Sequence, residues 1–367
     1  MKKKLFITFG IIIILLVVYF CLPEKKCATP QTATILNLDQ PVLEKDFEYI
    51  SEDNYLDTMF NEVCPYLESI MIDDYFEGYD GNLIHYRNYL KEDSKAHIVM
   101  VHGYTDFADK FDELIYYFLN ANYSVSILEH RGHGYSYREL SDLSKVTING
   151  FDEYIKDLEI FVDDIVTPLL KEDEQLFTFA HSMGGAIATL YMIEHPDVFD
   201  CAILSSPMME VEYGGIPRNV VSFIVNFSMN FGMKNNYILG NGPYDDTYNF
   251  DPTSNRSEAR YQYMYELSLN NYNYQTFAGT YAWLDSAINA TKDIASNADK
   301  YCVDTLLFQA EDDTTVGPNG QNYFVKNADS VSMVIVPNTM HSIFYAKDDI
   351  VHPYMDTILS FYNSHID

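Results

Sequence analysis

The sequence predicts an α/β fold in which helices cover both faces of a mostly parallel sheet. Short apolar runs at residues 98–101 and 125–128 are typical of strands buried on both sides. Between them, residues 111–119 carry apolar side chains at helical spacing. Strands that alternate with helices in this way form parallel sheets. The third observation is an aromatic and β-branched run that stops abruptly at Ser182 between small residues, as at a sharp strand-to-helix turn.

The remaining strands are predicted in chain order from similar patterns. Residues 75–79 and 83–87 flank the turn Asp80-Gly81-Asn82 and predict an antiparallel hairpin. Further apolar runs at residues 202–205, 305–309 and 332–336 predict three more strands after Ser182. A helix is expected after His352.

Between residues 207 and 300 the alternation lapses, and the chain becomes rich in Tyr, Asn, Met and Phe. We interpret this segment as a helical cap over the carboxyl edge of the sheet. Its large side chains are candidates for an apolar substrate pocket, although packing within the cap is the expected role of most of them. They are Phe223, Phe227, Met229, Phe231, Met233, Tyr261, Tyr263, Met264, Tyr265 and Trp283.

The N-terminus carries three lysines followed by an apolar run at residues 5–22. This run is long enough to cross a bilayer, and no small-x-small cleavage site follows it, so an uncleaved anchor is favoured over a signal peptide. The positive flank predicts a cytoplasmic N-terminus and a catalytic domain on the outer face of the cell membrane. We therefore divide the chain into an anchor (1–22), a tether (23–50) and a catalytic domain (51–367).

Composition excludes several classes of function. Acidic residues outnumber basic ones by 54 to 23, which argues against nucleic-acid binding because that depends on cations that neutralise phosphates. The five cysteines show no metal-ligand spacing and no redox pair, so no metal is predicted. The sequence does not determine whether two of these cysteines form a disulfide.

Ser182 is the candidate nucleophile, and it needs a base and a carboxylate that orients the base. Just beyond later strands the chain offers Asp312 or Asp313 and then His341, in the order Ser, acid, His that a serine at such a turn requires. His352 and His365 compete as bases, but one begins a helix and the other lies in the terminal tail. The backbone N–H groups of Tyr104 and Met183, at two strand ends, are the candidate oxyanion donors. The alternative is an ordinary strand–turn–helix with a capping serine.

These motifs resemble the α/β-hydrolases, and within them the monoacylglycerol lipase and lysophospholipase L2 type, also described as serine aminopeptidase S33-like. The resemblance covers about residues 70 to 365. It implies an α/β-hydrolase fold with an eight-stranded sheet and no cofactor. Matching the family's Gly-x-x-Asp at Ala310 selects Asp313 over Asp312. The motifs that carry the resemblance are Val101-His102-Gly103-Tyr104-Thr105, Arg131-Gly132-His133-Gly134-Tyr135-Ser136, Ala180-His181-Ser182-Met183-Gly184-Gly185, Gln309-Ala310-Glu311-Asp312-Asp313 and Met340-His341-Ser342, with cap residues Arg260-Tyr261 and Thr280-Tyr281-Ala282-Trp283 like the lysophospholipase branch.

The resemblance predicts a serine hydrolase that cleaves carboxylic esters of single-chain lipids, with a lysophospholipid as the first choice of substrate. A monoacylglycerol lipase or a general carboxylesterase fits the same chemistry. A serine aminopeptidase fits it too, but would need a carboxylate for the substrate's amine. A catalytically silent surface-binding module is the alternative from another class of function. The expected partners are an amphiphilic lipid ester and, through the anchor, a membrane.

Overall fold

The computed structural model describes residues 26–40 and 43–366. The strands are β1 (Thr34–Ile35), β2 (Met71–Glu77), β3 (Leu83–Tyr89), β4 (His97–Val101), β5 (Ser124–Leu128), β6 (Lys145–Val146), β7 (Leu176–His181), β8 (Cys201–Ser205), β9 (Ala278–Gly279), β10 (Asp304–Ala310) and β11 (Val331–Val336). The α-helices are α1 (Tyr55–Thr58), α2 (Cys64–Ile70), α3 (Asp112–Asn120), α4 (Asp152–Ile160), α5 (Met183–Glu194), α6 (Arg218–Asn230), α7 (Glu258–Asn270), α8 (Tyr281–Asn297), α9 (Pro318–Asn327) and α10 (Asp348–Asn363).

The central sheet has the strand order β1-β11-β10-β8-β7-β4-β5-β3-β2. In this spatial order, every neighbouring pair from β1 through β11, β10, β8, β7 and β4 to β5 is parallel. β3 pairs antiparallel with β5, and β2 and β3 join as the predicted antiparallel hairpin. Within the described residues the sheet thus has nine strands, one more than the predicted eight. The additional edge strand is Thr34–Ile35, so part of the predicted tether belongs to the sheet. The proposed division of the chain at residue 50 stays a prediction.

Both faces of the sheet are buried, as continuous apolar strands require. In β4, Val99 and Val101 pack on the face that α4, α5 and α8 cover, whereas Ile98 and Met100 pack on the face that α3 and α10 cover. All four side chains are at most 1% exposed. Because the central strands are parallel, the loops that follow β4, β7, β10 and β11 meet at one edge of the sheet.

The segment between β8 and β10, for which the sequence predicts a helical cap, forms α6, α7 and α8. Arg260 on α7 links the cap to α3 and α10, because its Nη2 lies 2.8 Å from Glu113 Oε1 and its Nη1 lies 2.9 Å from Asp348 Oδ1. On α8, the Trp283 ring stacks on Tyr104 with centroids 4.1 Å apart. The cap therefore has fixed contacts with the loops at the carboxyl edge.

The predicted membrane anchor at residues 5–22 lies outside the described residues. Across residues 26–40 and 43–366, no helix has both the length and the apolar character needed to cross a bilayer. On this finding the prediction of a single-pass cell-membrane protein with an outward-facing catalytic domain is wrong. That prediction rested on the apolar composition of residues 5–22 alone.

Candidate active site

Ser182 lies at the turn between β7 and α5 in a strained backbone conformation. Its φ of 51° and ψ of −118° fall in a region that residues other than glycine rarely adopt. Two hydrogen bonds hold it there: the Ser182 N–H donates to Ser205 O at 3.1 Å, and the Ser182 carbonyl accepts from Met208 N at 2.8 Å. The side chain of Ser182 therefore stands at the carboxyl edge of the sheet.

The small residues around Ser182 are explained by the backbone that passes beside them. A Cβ at Gly184 would lie 2.1 Å from Val101 O and 2.5 Å from His102 O, so only glycine fits. On the other side, Ala180 is fully buried in β7 between Val101 and Leu204. The strand pairing thus accommodates the methyl group of Ala180, which stands where the usual Gly-x-Ser-x-Gly pattern has its first glycine.

The structure brings Ser182, His341 and Asp313 together. His341 Nε2 lies 2.7 Å from Ser182 Oγ, and His341 Nδ1 lies 2.7 Å from Asp313 Oδ2. Since a carboxylate only accepts, Nδ1 carries the proton, and Nε2 is left to accept from the serine hydroxyl. The His341 side chain is 17% exposed and the Asp313 side chain 5%. The imidazole is therefore reachable from the cavity, whereas the carboxylate is buried.

The loop after β10 orients Asp313 towards His341. Its Oδ1 accepts from the backbone N–H groups of Thr315 at 2.8 Å and Val316 at 3.1 Å, which leaves Oδ2 for the imidazole. Asp312 is exposed and its backbone N–H donates to Thr339 O. The structure thus places Asp313, not Asp312, at His341.

The competing histidines have other contacts. His352 stacks on the Tyr49 ring at 4.9 Å, and its Nε2 lies 3.6 Å from Asp348 Oδ1. His365 Nε2 lies 2.9 Å from Asp304 Oδ2, at the opposite end of β10 from Asp313.

The loop that carries Tyr104 is braced by side chains on both sides. His102 Nδ1 donates to Gly103 O at 2.8 Å, while its Nε2 accepts from His130 N at 2.9 Å. Burial lowers the pKa of His102, in agreement with a neutral ring that accepts at one nitrogen. Gly103 N donates to Asp106 Oδ2 at 3.0 Å. These bonds fix the peptide that leads into Tyr104.

The two predicted oxyanion donors lie at adjoining positions of the sheet edge. Tyr104 follows β4 and lines the same cavity as Ser182 and His341. Met183 is the first residue of α5, and the first N–H groups of a helix have no partner within it. The pairing of β4 with β7 places both backbone positions beside Ser182. Their role in binding an oxyanion stays a prediction.

A cavity of about 450 Å³ opens over Ser182 and His341. Its wall combines the sheet-edge loops with residues of the cap. The lining residues are Tyr104, Thr105, Asp106, Lys110, His181, Ser182, Arg256, Tyr261, Met264, Thr314, Thr315, Met340, His341, Ser342 and Tyr345.

The family model described as serine aminopeptidase, S33, matches residues 92–348, which is more than half of the chain. The chain belongs to this family. Lysophospholipase L2 of Escherichia coli strain K12 is 26% identical over 302 residues, covering 79% of this chain and 87% of that protein. The monoglyceride lipase of Mus musculus is 29% identical over 164 residues, covering 43% of this chain and 52% of that protein.

Solved structures share the fold of this S33 family member. A soluble variant of monoglyceride lipase from Saccharomyces cerevisiae, in complex with a substrate analog, aligns with a TM-score of 0.64 at 16% identity. The alignment covers 80% of this chain and 95% of that one. The α/β-hydrolase fold and the predicted family are thereby confirmed, and the comparisons agree with the predicted class, a carboxylic ester hydrolase.

His181, a residue to which the sequence assigned no role, lies against the base. Its ring centroid is 4.9 Å from that of His341, and its Nδ1 lies 3.1 Å from Ser205 O. Burial lowers the pKa of His181 to about 3, so this ring is neutral at pH 7 and donates to the carbonyl. His181 therefore packs against His341 without adding a positive charge. Its only signal in the sequence was its position before Ser182.

Lys110 and Asp106 are two further cavity residues that the sequence did not single out. Lys110 Nζ donates to Asp106 Oδ1 at 3.0 Å and to Thr105 O at 3.2 Å. Burial opposes ionisation of Asp106, but the ammonium group of Lys110 outweighs it, and the pKa of Asp106 is lowered to about 2. The pair is thus charged and internally neutralised.

Within the part of the chain that the structure describes, no group of three or more His, Cys, Asp or Glu side chains is arranged to hold a metal ion. Cys27, Cys64, Cys201 and Cys302 are free thiols.

Proposed function

We propose that this protein is a serine hydrolase that cleaves the carboxylic ester of a single-chain lipid through an acyl-enzyme on Ser182. The observation that carries the proposal is the pair of 2.7 Å hydrogen bonds that link Ser182 Oγ to His341 and His341 to Asp313. This geometry supplies what a serine hydroxyl lacks by itself, an oriented base within hydrogen-bond distance.

In the first half-reaction, Ser182 Oγ attacks the ester carbonyl while its proton moves to His341 Nε2. Asp313 stabilises the imidazolium that forms, and it holds Nδ1 as the donor. The carbonyl–oxygen bond to the alcohol then breaks, and the proton on Nε2 passes to the leaving oxygen. The acyl group remains bound to Ser182.

In the second half-reaction, water attacks the acyl-enzyme and His341 accepts its proton. The bond between the acyl carbon and Ser182 Oγ breaks, and the proton returns to that oxygen. Each tetrahedral intermediate carries a negative oxygen, for which the N–H groups of Tyr104 and Met183 are the proposed donors.

The substrate class is supported by relatives and by the shape of the site. One relative is named a lysophospholipase and another a monoglyceride lipase, and both names describe hydrolysis of single-chain lipids. The cap adds Tyr261 and Met264 to the cavity over Ser182, and Met340 and Tyr345 extend its apolar wall. We rank a lysophospholipid first and a monoacylglycerol second. The cavity carboxylate, Asp106, is already bound by Lys110, which does not favour an aminopeptidase.

The test compares the full chain with Ser182→Ala on a lysophospholipid, a monoacylglycerol, a p-nitrophenyl ester and an aminoacyl anilide. We expect hydrolysis of the esters, little turnover of the anilide, and loss of ester hydrolysis in the variant. Faster turnover of the anilide would reject the lipid substrate. Equal rates for the wild type and Ser182→Ala would reject the enzyme and favour a binding module.

A further inference from the structure

A second cavity of about 370 Å³ adjoins the catalytic one. The two cavities have five lining residues in common, so they lie side by side. The shared residues are Thr105, Lys110, Arg256, Tyr261 and Met264.

Within the described part of the chain, Arg256 is the cation in this shared wall that forms no direct ion pair, although it lowers the pKa of the nearby Asp251. Its Nε lies 3.4 Å from Ser254 Oγ, and its guanidinium lies 5.5 Å from the centre of the Tyr261 ring. Among residues 26–40 and 43–366, no Asp or Glu oxygen lies within 4.0 Å of its nitrogens. The neighbouring Lys110, in contrast, is neutralised by Asp106.

The backbone that carries Arg256 is anchored. Arg256 forms an antiparallel bridge with Ala346, and the next residue, Ser257, donates its N–H to Tyr345 O at 2.8 Å. Tyr345 itself lines the catalytic cavity. The backbone of Arg256 is thus held at the wall of the catalytic cavity, and the planar fork of donors on its guanidinium matches the oxygens of a phosphate.

The second cavity combines aromatic walls with a carboxylate. Tyr244 and Phe277 form one part of it, with ring planes at 88° and centroids 6.1 Å apart. Asp245 lines the same cavity, and the Thr247 backbone N–H and hydroxyl both donate to its Oδ1. Aromatic faces beside a carboxylate are the environment that binds an alkylated ammonium group. The other aromatic members of the wall are Tyr261, Tyr265 and Tyr274.

From this arrangement we propose that the two cavities bind a lysophospholipid with a zwitterionic headgroup. Its ester lies at Ser182, its phosphate at Arg256, and its ammonium group among the aromatic rings beside Asp245. The inference rests on the proposed function, because it assigns the leaving-alcohol side of the same reaction. Arg256 and Asp245 are specificity-determining residues here, and they touch the headgroup, not the reacting atoms.

The test uses the full chain and two substrates with the same acyl chain, a lysophosphatidylcholine and a monoacylglycerol. For Arg256→Gln we expect the ratio of kcat/KM for the first substrate to that for the second to fall about 10- to 100-fold, mainly through KM. Arg256→Lys retains the charge but not the fork, and should recover part of the ratio. Lys156→Gln, a change in a remote exposed ion pair, is the matched control and should leave the ratio unchanged.

Lysophosphatidic acid, which has the phosphate but no ammonium group, separates the two halves of the headgroup site. Asp245→Asn should slow hydrolysis of lysophosphatidylcholine several-fold relative to lysophosphatidic acid, whereas Arg256→Gln should slow both. An equal loss on all substrates, or an unchanged ratio, in a folded Arg256→Gln protein would overturn the proposal. A wild type that hydrolyses monoacylglycerol but not lysophospholipid would overturn it while leaving the hydrolase intact. No ester hydrolysis at all would reject the proposed function itself.

Discussion

Replacing Asp313 by asparagine changes which nitrogen of His341 carries the proton. The backbone N–H groups of Thr315 and Val316 both point at Oδ1 of Asp313, so an asparagine satisfies them only with its carbonyl oxygen. Its amide nitrogen then faces His341 Nδ1, and because that group donates, Nδ1 must accept. The proton moves to Nε2, which can no longer take a proton from Ser182 Oγ.

The expected loss is that of a triad with the wrong tautomer of its histidine, about 10⁴-fold in kcat. This corresponds to about 5.5 kcal/mol of transition-state stabilisation. The assay is hydrolysis of a p-nitrophenyl ester under saturating conditions, with thermal unfolding measured in parallel to show that the variant is folded.

Asp312→Asn is the matched control, since Asp312 is the exposed neighbour and does not contact His341. We expect its kcat to stay within about threefold of the wild type. A larger loss at Asp312 than at Asp313, or an Asp313→Asn protein that keeps a tenth of the wild-type kcat, would refute the reasoning.

Three further predictions concern the framework of the site. Arg260→Met leaves the buried Glu113 without its guanidinium partner, so denaturant titration should show a loss of about 3–5 kcal/mol, partly recovered by adding Glu113→Gln. Gly184→Ala should abolish ester hydrolysis or folding, because its Cβ would lie 2.1 Å from Val101 O; wild-type activity would contradict that close approach. Burial lowers the pKa of His97 to about 4, so it stays neutral in the fold while the unfolded chain gains a proton below pH 6.5. His97 alone should therefore contribute a fall of about 3 kcal/mol in stability between pH 6.5 and 4, and the stability of His97→Gln should fall by that much less than that of the wild type, whereas parallel curves would contradict it.

The inner parallel strands of the sheet were predictable because they bury both faces and therefore read as continuous apolar runs. The runs at residues 98–101 and 202–205 fall within β4 and β8. Thr34–Ile35 was not predictable in this way. It has only two residues, and Ile35 is 70% exposed, so no apolar pattern marks it. Its place in the sheet comes from pairing with β11, about 300 positions away.

The cap shows where composition misleads. Trp283 and Tyr263 are buried, as expected for packing. Phe223, Phe227 and Phe231, in contrast, are 62%, 46% and 67% exposed, so these three do not pack in the cap's core. Phe223 and Phe227 lie one turn apart on one side of α6, and Phe231 directly follows its last residue. Which side of α6 faces the core depends on how the helix packs on α8, and a single sequence does not encode that locally.

The order of Ser182, Asp313 and His341 could be predicted because a parallel sheet brings the ends of its strands to one edge. The residues that brace them could not. The contacts of Asp106 with Gly103 and of His181 with His341 depend on side-chain directions within loops. Arg256 reaches the shared wall of the two cavities only through its bridge to Ala346, 90 positions later in the chain.

The nucleophile is tested most directly by reaction of the full chain with a fluorophosphonate probe, followed by mass-spectrometric mapping of the labelled residue. Ser182 Oγ is expected to displace fluoride from phosphorus, so the label should lie on Ser182, disappear in Ser182→Ala and form far more slowly in His341→Ala. A label on another serine, or equal labelling of the wild type and Ser182→Ala, would contradict the proposed triad.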